Sequence, residues 1–274
     1  MRPKEATLAI TYRCNSRCAM CNIWKVTDHE ELPPEEYAKL PDSLRTINVT
    51  GGEPFLRKDI VELVATVHKA APKSRIVISS NGMLTEKISK DMVDMRKVHP
   101  QLGIGISMDG LDALHDSIRG VPGCFKKAIE TVESLRGQGF EDVRLGMTIV
   151  KENTDKILEV YELSKKLGVE FTTTVAHNSD VYFRKADNEP SEVTDSLKDG
   201  VSEIQAEHLR SLSAKKWFRA YHLAGIVDPA IRQGALGSCE AAFRFFFMDP
   251  KGDVYPCIVM NKVIGNIKDF KSIA

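Results

Sequence analysis

Six short runs rich in β-branched residues alternate with helical patterns between residues 6 and 176, and this alternation restricts the fold more than any other feature of the chain. The runs are ATLAITY (6–12), RTINVT (45–50), RIVISS (75–80), LGIGIS (102–107), DVRLGMTIV (142–150) and VEFTTTVA (169–176). They are almost continuously apolar, as expected for parallel strands that are covered on both faces. The sequence therefore predicts an α/β fold built from right-handed βαβ units.

The segments between these runs show the spacing of amphipathic helices. In FKKAIETVESLRGQG the apolar positions are Phe125, Ala128, Ile129, Val132 and Leu135. Such intervals are typical of a helix, and DIVELVATVHKAA (59–71) shows the same spacing. Six strand–helix units fall short of the eight that close a full barrel. A partial (β/α)6 TIM-like barrel and a doubly wound sheet therefore both fit the pattern.

The overall composition argues against a nucleic-acid-binding or membrane-spanning protein. Among the 274 residues, 38 Lys and Arg balance 38 Asp and Glu, so there is no basic excess for nucleic acid. No apolar run reaches the roughly 18–20 residues that a membrane helix needs, and Thr11 and Arg13 interrupt the N-terminal apolar residues before a signal-peptide core forms. We therefore expect a cytoplasmic protein with reduced thiols, in which clustered cysteines indicate metal binding or catalysis.

Polar or glycine-containing segments follow the first four predicted strands. The segments after the second, third and fourth strands are TGGEP (50–54), SSNG (79–82) and SMDG (107–110), and the first strand leads into a cysteine-rich loop. Each segment alone has the composition of an ordinary turn. Because the carboxyl ends of parallel barrel strands lie on one face, the segments together predict an active site there.

The loop after the first strand, TYRCNSRCAMCNIW, places Cys14, Cys18 and Cys21 within eight residues. A structural zinc site needs four ligands, and the nearest histidine, His29, has a spacing that fits no common zinc finger. A [4Fe–4S] cluster normally takes four thiolates, so three cysteines would leave one iron open to another ligand. An open iron is a site for substrate or cofactor chemistry.

The C-x-x-x-C-x-x-C spacing of CNSRCAMC after a first strand resembles that of the radical S-adenosylmethionine (SAM) enzymes. GGEP at 51–54 is similar to the glycine motif after their second strand, and SSNG and SMDG resemble their third and fourth strand ends. The resemblance covers residues 6–176. One departure is Met20, since this position is usually aromatic in the family, although a methionine can still pack on an adenine ring.

The resemblance implies how the cofactors are bound. Cys14, Cys18 and Cys21 would hold three irons of a [4Fe–4S] cluster, and SAM would chelate the fourth iron through its amino and carboxylate groups. The residues that match the SAM-binding segments are Gly51, Gly52, Glu53, Pro54, Asn81, Ser107 and Arg119. A branched side chain at Gly52 is then expected to exclude SAM while the cluster stays bound. Arg119 would pair with the SAM carboxylate, or it is an ordinary surface arginine.

The resemblance also implies an activity. In this family the reduced cluster cleaves SAM to a 5′-deoxyadenosyl radical, which abstracts hydrogen from a substrate, so we expect an enzyme that receives electrons from a flavodoxin- or ferredoxin-type donor. A peptide is the expected substrate, as for a maturase, and oxidation or rearrangement of a sugar or another small molecule is the alternative. Two other classes are an Fe–S electron carrier without SAM turnover, against which GGEP argues, and a zinc-stabilised binding module.

The sequence is expected to divide into a barrel core (1–176), a charged helical connector (177–235) and a β-hairpin extension (236–274). Cys239 and Cys257 bracket the hairpin, and the spacing from Gly252 to Cys257 resembles the opening of the auxiliary-cluster extension called SPASM, or its shorter twitch form. No cysteine follows Cys257. The sequence therefore fits a truncated extension with an auxiliary [4Fe–4S] cluster, an incomplete cluster, or a purely structural pair.

Overall fold

The computed structural model describes residues 2–188, 193–228 and 239–269. Within these residues one sheet has the strand order β6-β5-β4-β3-β2-β1-β7-β8-β9. The strands are Glu5–Ala9, Thr46–Thr50, Arg75–Ser80, Gly103–Ser107, Val143–Ile149, Glu170–Val175, Phe245–Met248, Asp253–Tyr255 and Gly265–Asn266. Strands β1 to β6 are parallel and neighbour one another in chain order. This order confirms the predicted partial (β/α)6 barrel.

Helices cover the crossovers between most of the strands. They are α1 (Ile60–Ala70), α2 (Thr85–Val98), α3 (Asp112–Arg119), α4 (Cys124–Gly137), α5 (Ile157–Lys166), α6 (Asp195–Arg210) and α7 (Ala214–Val227). The first crossover differs, since between β1 and β2 the chain forms only the short 3-10 helices Ile23–Lys25 and Pro34–Lys39. Prolines 33, 34 and 41 in this segment lack the N–H group that a continuous helix needs.

The barrel strands have one apolar face and one polar face. On the face under the helices, the cross-strand neighbours Leu8, Val49, Ile78, Ile104 and Val143 are fully buried. Side chains alternate along a strand, so the opposite face presents Thr7, Asn48, Ser79, Gly105, Arg144 and Glu170. The expectation of strands that are apolar on both faces is therefore wrong, because an open barrel uses its inner face as a polar lining.

The predicted connector contributes to the core. Helix α6 buries Leu197, Val201 and Ile204 within the main hydrophobic cluster, and Leu223 of α7 joins the same cluster. Helices α6 and α7 therefore form part of the barrel wall and do not merely connect the barrel to the extension. The predicted boundary at 176/177 stays a prediction, and the boundary at 235/236 lies outside the described residues.

The C-terminal hairpin continues the barrel sheet. Strand β7 pairs in parallel with β1, and β8 returns antiparallel to β7 after the turn at residues 249–252. The hairpin expected around DPKGD is therefore confirmed. The turn lies beside the end of β1, where the Tyr12 hydroxyl donates to the Asp249 carboxylate at 3.1 Å. This contact connects the extension to the segment that leads into the cysteine loop.

Candidate active site at the carboxyl ends of the strands

The three clustered cysteines line one cavity of about 130 Å³ at the carboxyl ends of the barrel strands. The other residues around it are Ser16, Met20, Ile23, Thr50, Gly51, Gly52, Ser79, Ser80, Asn81, Ser107, Arg119, Thr148, Tyr182 and Phe183. The ends of β2, β3 and β4 thus meet the cysteine loop, as predicted, and the end of β5 joins them. Of the predicted SAM-binding residues, all except Glu53 and Pro54 line this cavity.

The donor set suits a cluster better than a single ion. In the described part of the chain, no three Cys, His, Asp or Glu side chains are placed to hold one metal ion. The irons of a cluster bind separate sulfurs, so the sulfurs do not have to meet at one point. Backbone N–H groups of Ser16 and Ile23 already donate to the sulfurs of Cys14 and Cys21, both at 3.4 Å. The residues therefore fit a [4Fe–4S] cluster and argue against zinc.

Two of the cavity thiols, those of Cys14 and Cys21, hold their protons tightly in the absence of a metal. Burial raises the pKa of Cys14 to about 12 and that of Cys21 to about 11. A metal ligand must be the thiolate, so binding of iron has to release these protons.

The end of α3 holds the cysteine loop in place. Backbone N–H groups of Arg17 and Ala19 donate to the carbonyl oxygens of Arg119 and Ile118 at 2.9 and 2.8 Å. Gly120, at φ +66°, makes this approach possible, since a Cβ atom there would lie 2.6 Å from the Arg17 oxygen. The signal in the sequence for this contact is the pattern IRG (118–120), in which the glycine directly follows the last residue of α3.

Gly51 and Gly52 pack against the backbone that precedes Cys14. A Cβ atom would lie 2.3 Å from the Thr11 oxygen at Gly51, which has φ +138°, and 2.1 Å from the Arg13 oxygen at Gly52. Hydrogen bonds from Gly52 N–H to Thr11 and from Glu53 N–H to Arg13, both 2.8 Å, fix this contact. The expectation that a side chain at Gly52 would spare the cluster is therefore revised, because the side chain would displace the cysteine loop.

Glu53 is fully buried below the cavity. Its carboxylate accepts hydrogen bonds from the N–H groups of Phe55 and Asn81, at 3.2 and 2.8 Å, and from the Ser80 hydroxyl at 2.9 Å. These contacts hold the ends of β2 and β3 together. The direct contact of Glu53 and of the buried Pro54 with SAM stays a prediction.

Glu53→Gln is expected to change the pH dependence of stability. Burial raises the pKa of Glu53 from 4.5 to about 7, although its hydrogen bonds lower it. The folded state then binds the proton more tightly than the unfolded chain does, so the contribution of this group is complete below pH 4.5 and is lost as the pH rises to about 7. Guanidinium unfolding across this range should show a steeper fall for the wild type than for the variant. Parallel curves would contradict the assignment.

Arg119 faces the cavity from a buried ion pair. Its Nε atom lies 2.6 Å from Oδ2 of Asp109, and its Nη1 atom lies 3.7 Å from the sulfur of Cys18. Burial alone would lower the pKa of Arg119, but the charges of Asp109 and Cys18 raise it above its ordinary value. The reading as an ordinary surface arginine is excluded by this burial. Its pairing with the SAM carboxylate stays a prediction.

Two aromatic residues from the segment after β6 belong to the cavity. Tyr182 and Phe183, in the segment after β6, both line it, and the Tyr182 hydroxyl lies 3.4 Å from Oγ1 of Thr50. Met20 is 4% exposed and packs in a cluster with Ile118, as an apolar wall requires. The position of Tyr182 and Phe183 depends on how the segment after β6 folds back, which their sequence does not show.

Cys239 and Cys257 lie on neighbouring segments. The N–H of Ala242 donates to the Pro256 carbonyl at 3.1 Å, which aligns the two arms that carry them. The Ser179 hydroxyl donates to the carbonyl of Ile258, so the second arm also reaches the segment after β6. Both thiols are free. Their role as auxiliary-cluster ligands stays a prediction.

The comparisons with known proteins identify the family of this chain. The family model of the radical SAM superfamily matches residues 8–164. The chain belongs to the radical SAM superfamily. The predicted family, enzyme class and the two cofactors, a [4Fe–4S] cluster and SAM, are thereby confirmed. No helix in the described ranges is long and apolar enough to cross a membrane.

Two curated relatives and one solved structure show the extent of the similarity. The mycofactocin maturase MftC of Mycolicibacterium smegmatis is 29% identical over 262 residues, which cover 92% of this chain and 63% of the relative. The AdoMet-dependent heme synthase of Methanosarcina barkeri is 26% identical, over 97% of this chain and 80% of the relative. The structure of Streptococcus suis SuiB bound to S-adenosylmethionine has a TM-score of 0.72 at 17% identity and covers 98% of this chain and 64% of SuiB. The chain thus spans slightly less than two thirds of MftC and of SuiB.

Proposed function

We propose that this chain is the catalytic core of a peptide maturase, in which radical SAM chemistry modifies a peptide. The observation that carries the chemistry is the convergence of Cys14, Cys18 and Cys21 with four strand ends on one cavity. The similarity to the maturase MftC over 92% of the chain supports a peptide as the substrate. The proposed setting is the cytoplasm, where the six free thiols would stay reduced, with a flavodoxin- or ferredoxin-type protein as electron donor.

The residues of the cavity have distinct parts in this function. Cys14, Cys18 and Cys21 would hold the cluster, which together with SAM supplies one-electron radical chemistry when bound. Arg119 places a buried positive charge beside Cys18, and the Asp109 carboxylate fixes its orientation. Such a preorganised charge can stabilise an anionic group of a ligand at that point.

The remaining walls of the cavity orient and enclose a ligand. Asn81 donates from Nδ2 to Oδ1 of Asn15 at 2.7 Å, which connects the end of β3 to the cysteine loop. Ser107 and Thr148 offer hydroxyl groups from β4 and β5, and Phe183 adds an apolar wall. An enclosed site of this kind excludes water from reactive species.

An iron tetrapyrrole is the second candidate substrate. The heme synthase of Methanosarcina barkeri is similar over 97% of this chain and 80% of its own length, a larger share of the relative than for MftC. This candidate corresponds to the small-molecule alternative that the sequence left open.

One assay separates the two substrates. The cluster-loaded protein is incubated anaerobically with SAM, dithionite and either a library of short peptides or an iron tetrapyrrole. We expect a SAM-dependent mass change of a peptide, and formation of 5′-deoxyadenosine above the level without substrate. The same change for the tetrapyrrole alone would favour the second candidate. Absence of SAM cleavage under all these conditions would contradict both and favour an electron carrier.

A further inference from the structure

A second cavity, of about 590 Å³, lies beside β6, the last strand of the barrel sheet. One wall is the segment 171–177, and each of its residues lines the cavity. The opposite wall is one stripe of α7 that presents Lys215, Phe218, Arg219, His222 and Ile226. These residues recur at helical spacing, so they share one face of α7. We call this cavity the β6 groove.

The β6 groove exposes a strand edge, whose Val175 carbonyl lies 3.4 Å from Nδ1 of His177. The N–H of Ala176 donates to the carbonyl of Ile149 on β5 at 2.9 Å. Peptide groups of alternate residues in a strand point to opposite edges, so those of Phe171, Thr173 and Val175 point away from β5. Within residues 2–188, 193–228 and 239–269, no strand pairs with this edge. An open edge of this kind is a template for another extended segment.

Buried polar atoms on the walls of the groove lack partners. Oγ1 of Thr173, Nε2 of His177 and Nδ1 of His208 are buried and form no hydrogen bond within the described part of the chain. His208 is 4% exposed, and burial holds its pKa below the ordinary value. Buried polar groups normally have partners. Three such atoms on one groove indicate a ligand that supplies hydrogen bonds.

The groove carries a surplus of positive charge. Lys215 and Arg219 of α7 both pair with the one carboxylate of Glu170, and the Arg219 distance is 2.5 Å. Two cations therefore face a single anion. No Asp or Glu is among the described residues that line the groove; Arg144 also lines it, but its guanidinium pairs with Asp142 at 3.0 Å. A ligand with a carboxylate complements this wall.

The groove leads towards the cysteine cavity. Ala176 lines both the groove and a small cavity beside it, and Met20 lines both that small cavity and the cysteine cavity. The rings of His177, on the groove, and Phe183, on the cysteine cavity, have centroids 5.0 Å apart. A segment bound in the groove would thus extend directly to the candidate active site.

We propose that the β6 groove binds an extended acidic segment of the peptide substrate, which adds to the sheet beyond β6 and places a carboxylate against Lys215 and Arg219. The inference rests on the proposed function and names how the peptide is held. From residue 171 to 175 the edge is about 13 Å long at about 3.3 Å per residue. The edge can therefore pair with a peptide segment of roughly as many residues as the edge itself contains. The unpartnered atoms of Thr173 and His177 would bind the side chains of that segment.

Hydrogen exchange at the protein's own amides, with and without a selected peptide, provides the first measurement. A displayed library of random peptides is selected on the cluster-loaded protein without reductant, so that no turnover occurs. We expect selection of peptides with Asp or Glu in an otherwise extended segment. A bound peptide should slow exchange at the amides of Phe171, Thr173 and Val175. It should leave the amides of Thr172 and Thr174 unchanged, because these already pair with β5.

Two variants provide the second measurement. Thr173→Pro removes an outward N–H group without removing a bond to β5, and proline is tolerated in edge strands. Arg219→Gln removes one of the two cations. We expect Arg219→Gln to weaken binding of the selected peptides by at least about tenfold, as for a lost hydrogen bond to a charged group, and Thr173→Pro by about fivefold, as for a lost neutral hydrogen bond. The control is Lys90→Gln on the exposed side of α2, and iron content and circular dichroism check the fold of every variant.

Three results would overturn the proposal. The first is that the variants and the control bind the selected peptides with equal affinity, and the second is that no acidic peptide is selected. The third is that the amides of Phe171, Thr173 and Val175 are protected from exchange before any peptide is added. The last result would mean that the chain itself or a second copy covers the edge. Because binding is measured without turnover, a negative result here leaves the peptide-modification assay unaffected. A negative result in that assay with retained groove binding would contradict only the proposed function.

Discussion

Replacement of Cys14, Cys18 and Cys21 together by alanine is expected to abolish both bound iron and SAM cleavage. These thiols are the sulfur ligands that the cysteine cavity offers, and two of them already accept backbone hydrogen bonds. Removal of a residue that only hydrogen-bonds to a metal ligand lowers metal affinity by about 10–100-fold. Removal of all three ligands should therefore lower the affinity for iron by more than this. Iron content and 5′-deoxyadenosine formation after anaerobic reconstitution are the measurements.

The matched control for this experiment is Cys124→Ala. Cys124 is also buried, but it begins α4 and its thiol donates to Asp116 at 3.3 Å, away from the cavity lining. We expect the control to keep its iron with only a modest loss of stability. If the triple variant retains iron and cleaves SAM at the wild-type rate, the assignment of the cysteine loop is wrong.

Gly52→Val is expected to remove the cluster and SAM binding together. Its Cβ atom would lie 2.1 Å from the carbonyl oxygen of Arg13, the residue before Cys14. The obstacle is backbone, which cannot rotate away as a side chain can. Overpacking typically costs about 1–3 kcal/mol, and displacement of a ligand loop should place this variant at the upper end of that range. Iron content, SAM binding and guanidinium unfolding measure the three effects.

Gly137→Val is the matched control for the glycine variant. Gly137 lies in the last turn of α4, and no atom lies within 4 Å of a Cβ built there. The control should retain the iron and the SAM affinity of the wild type. A Gly52→Val protein that keeps its cluster and loses only SAM would restore the original expectation, in which the glycine backbone contacts SAM alone.

The core of the fold was predictable because its signals are local. Strands β1 to β6 appear in the sequence as β-branched runs, and α1 at Ile60–Ala70 agrees with the helical spacing of 59–71. The spacing of Cys14, Cys18 and Cys21 likewise points to a cluster. The sequence pattern did not show which face of each strand meets the helices. Asn48 and Arg144, which lie on the opposite face, are polar positions in strands that the sequence predicted to be apolar on both faces.

Contacts between distant segments were decided only by the tertiary structure. One example is the Glu53 carboxylate, which accepts hydrogen bonds from Ser80 and Asn81 of the neighbouring strand end, while its contact with SAM stays a prediction. Another is the Arg13 carbonyl oxygen, which lies 2.8 Å from the backbone nitrogen of Glu53, next to Gly52. Neither partner is near in sequence, so no local pattern could reveal it.

The sequence by itself determined the alternation of strands and helices and the three sulfurs at the end of the first strand. Both depend on residue type and spacing within a short stretch, which the chain displays directly. Only the tertiary structure decided that Arg119 is buried against Asp109, that β7 joins the sheet beside β1, and that β6 keeps a free edge opposite α7. Each of these features is a contact, or an absent contact, between segments that are far apart along the chain. Which of such segments meet is determined by the whole fold and not by any short stretch of sequence.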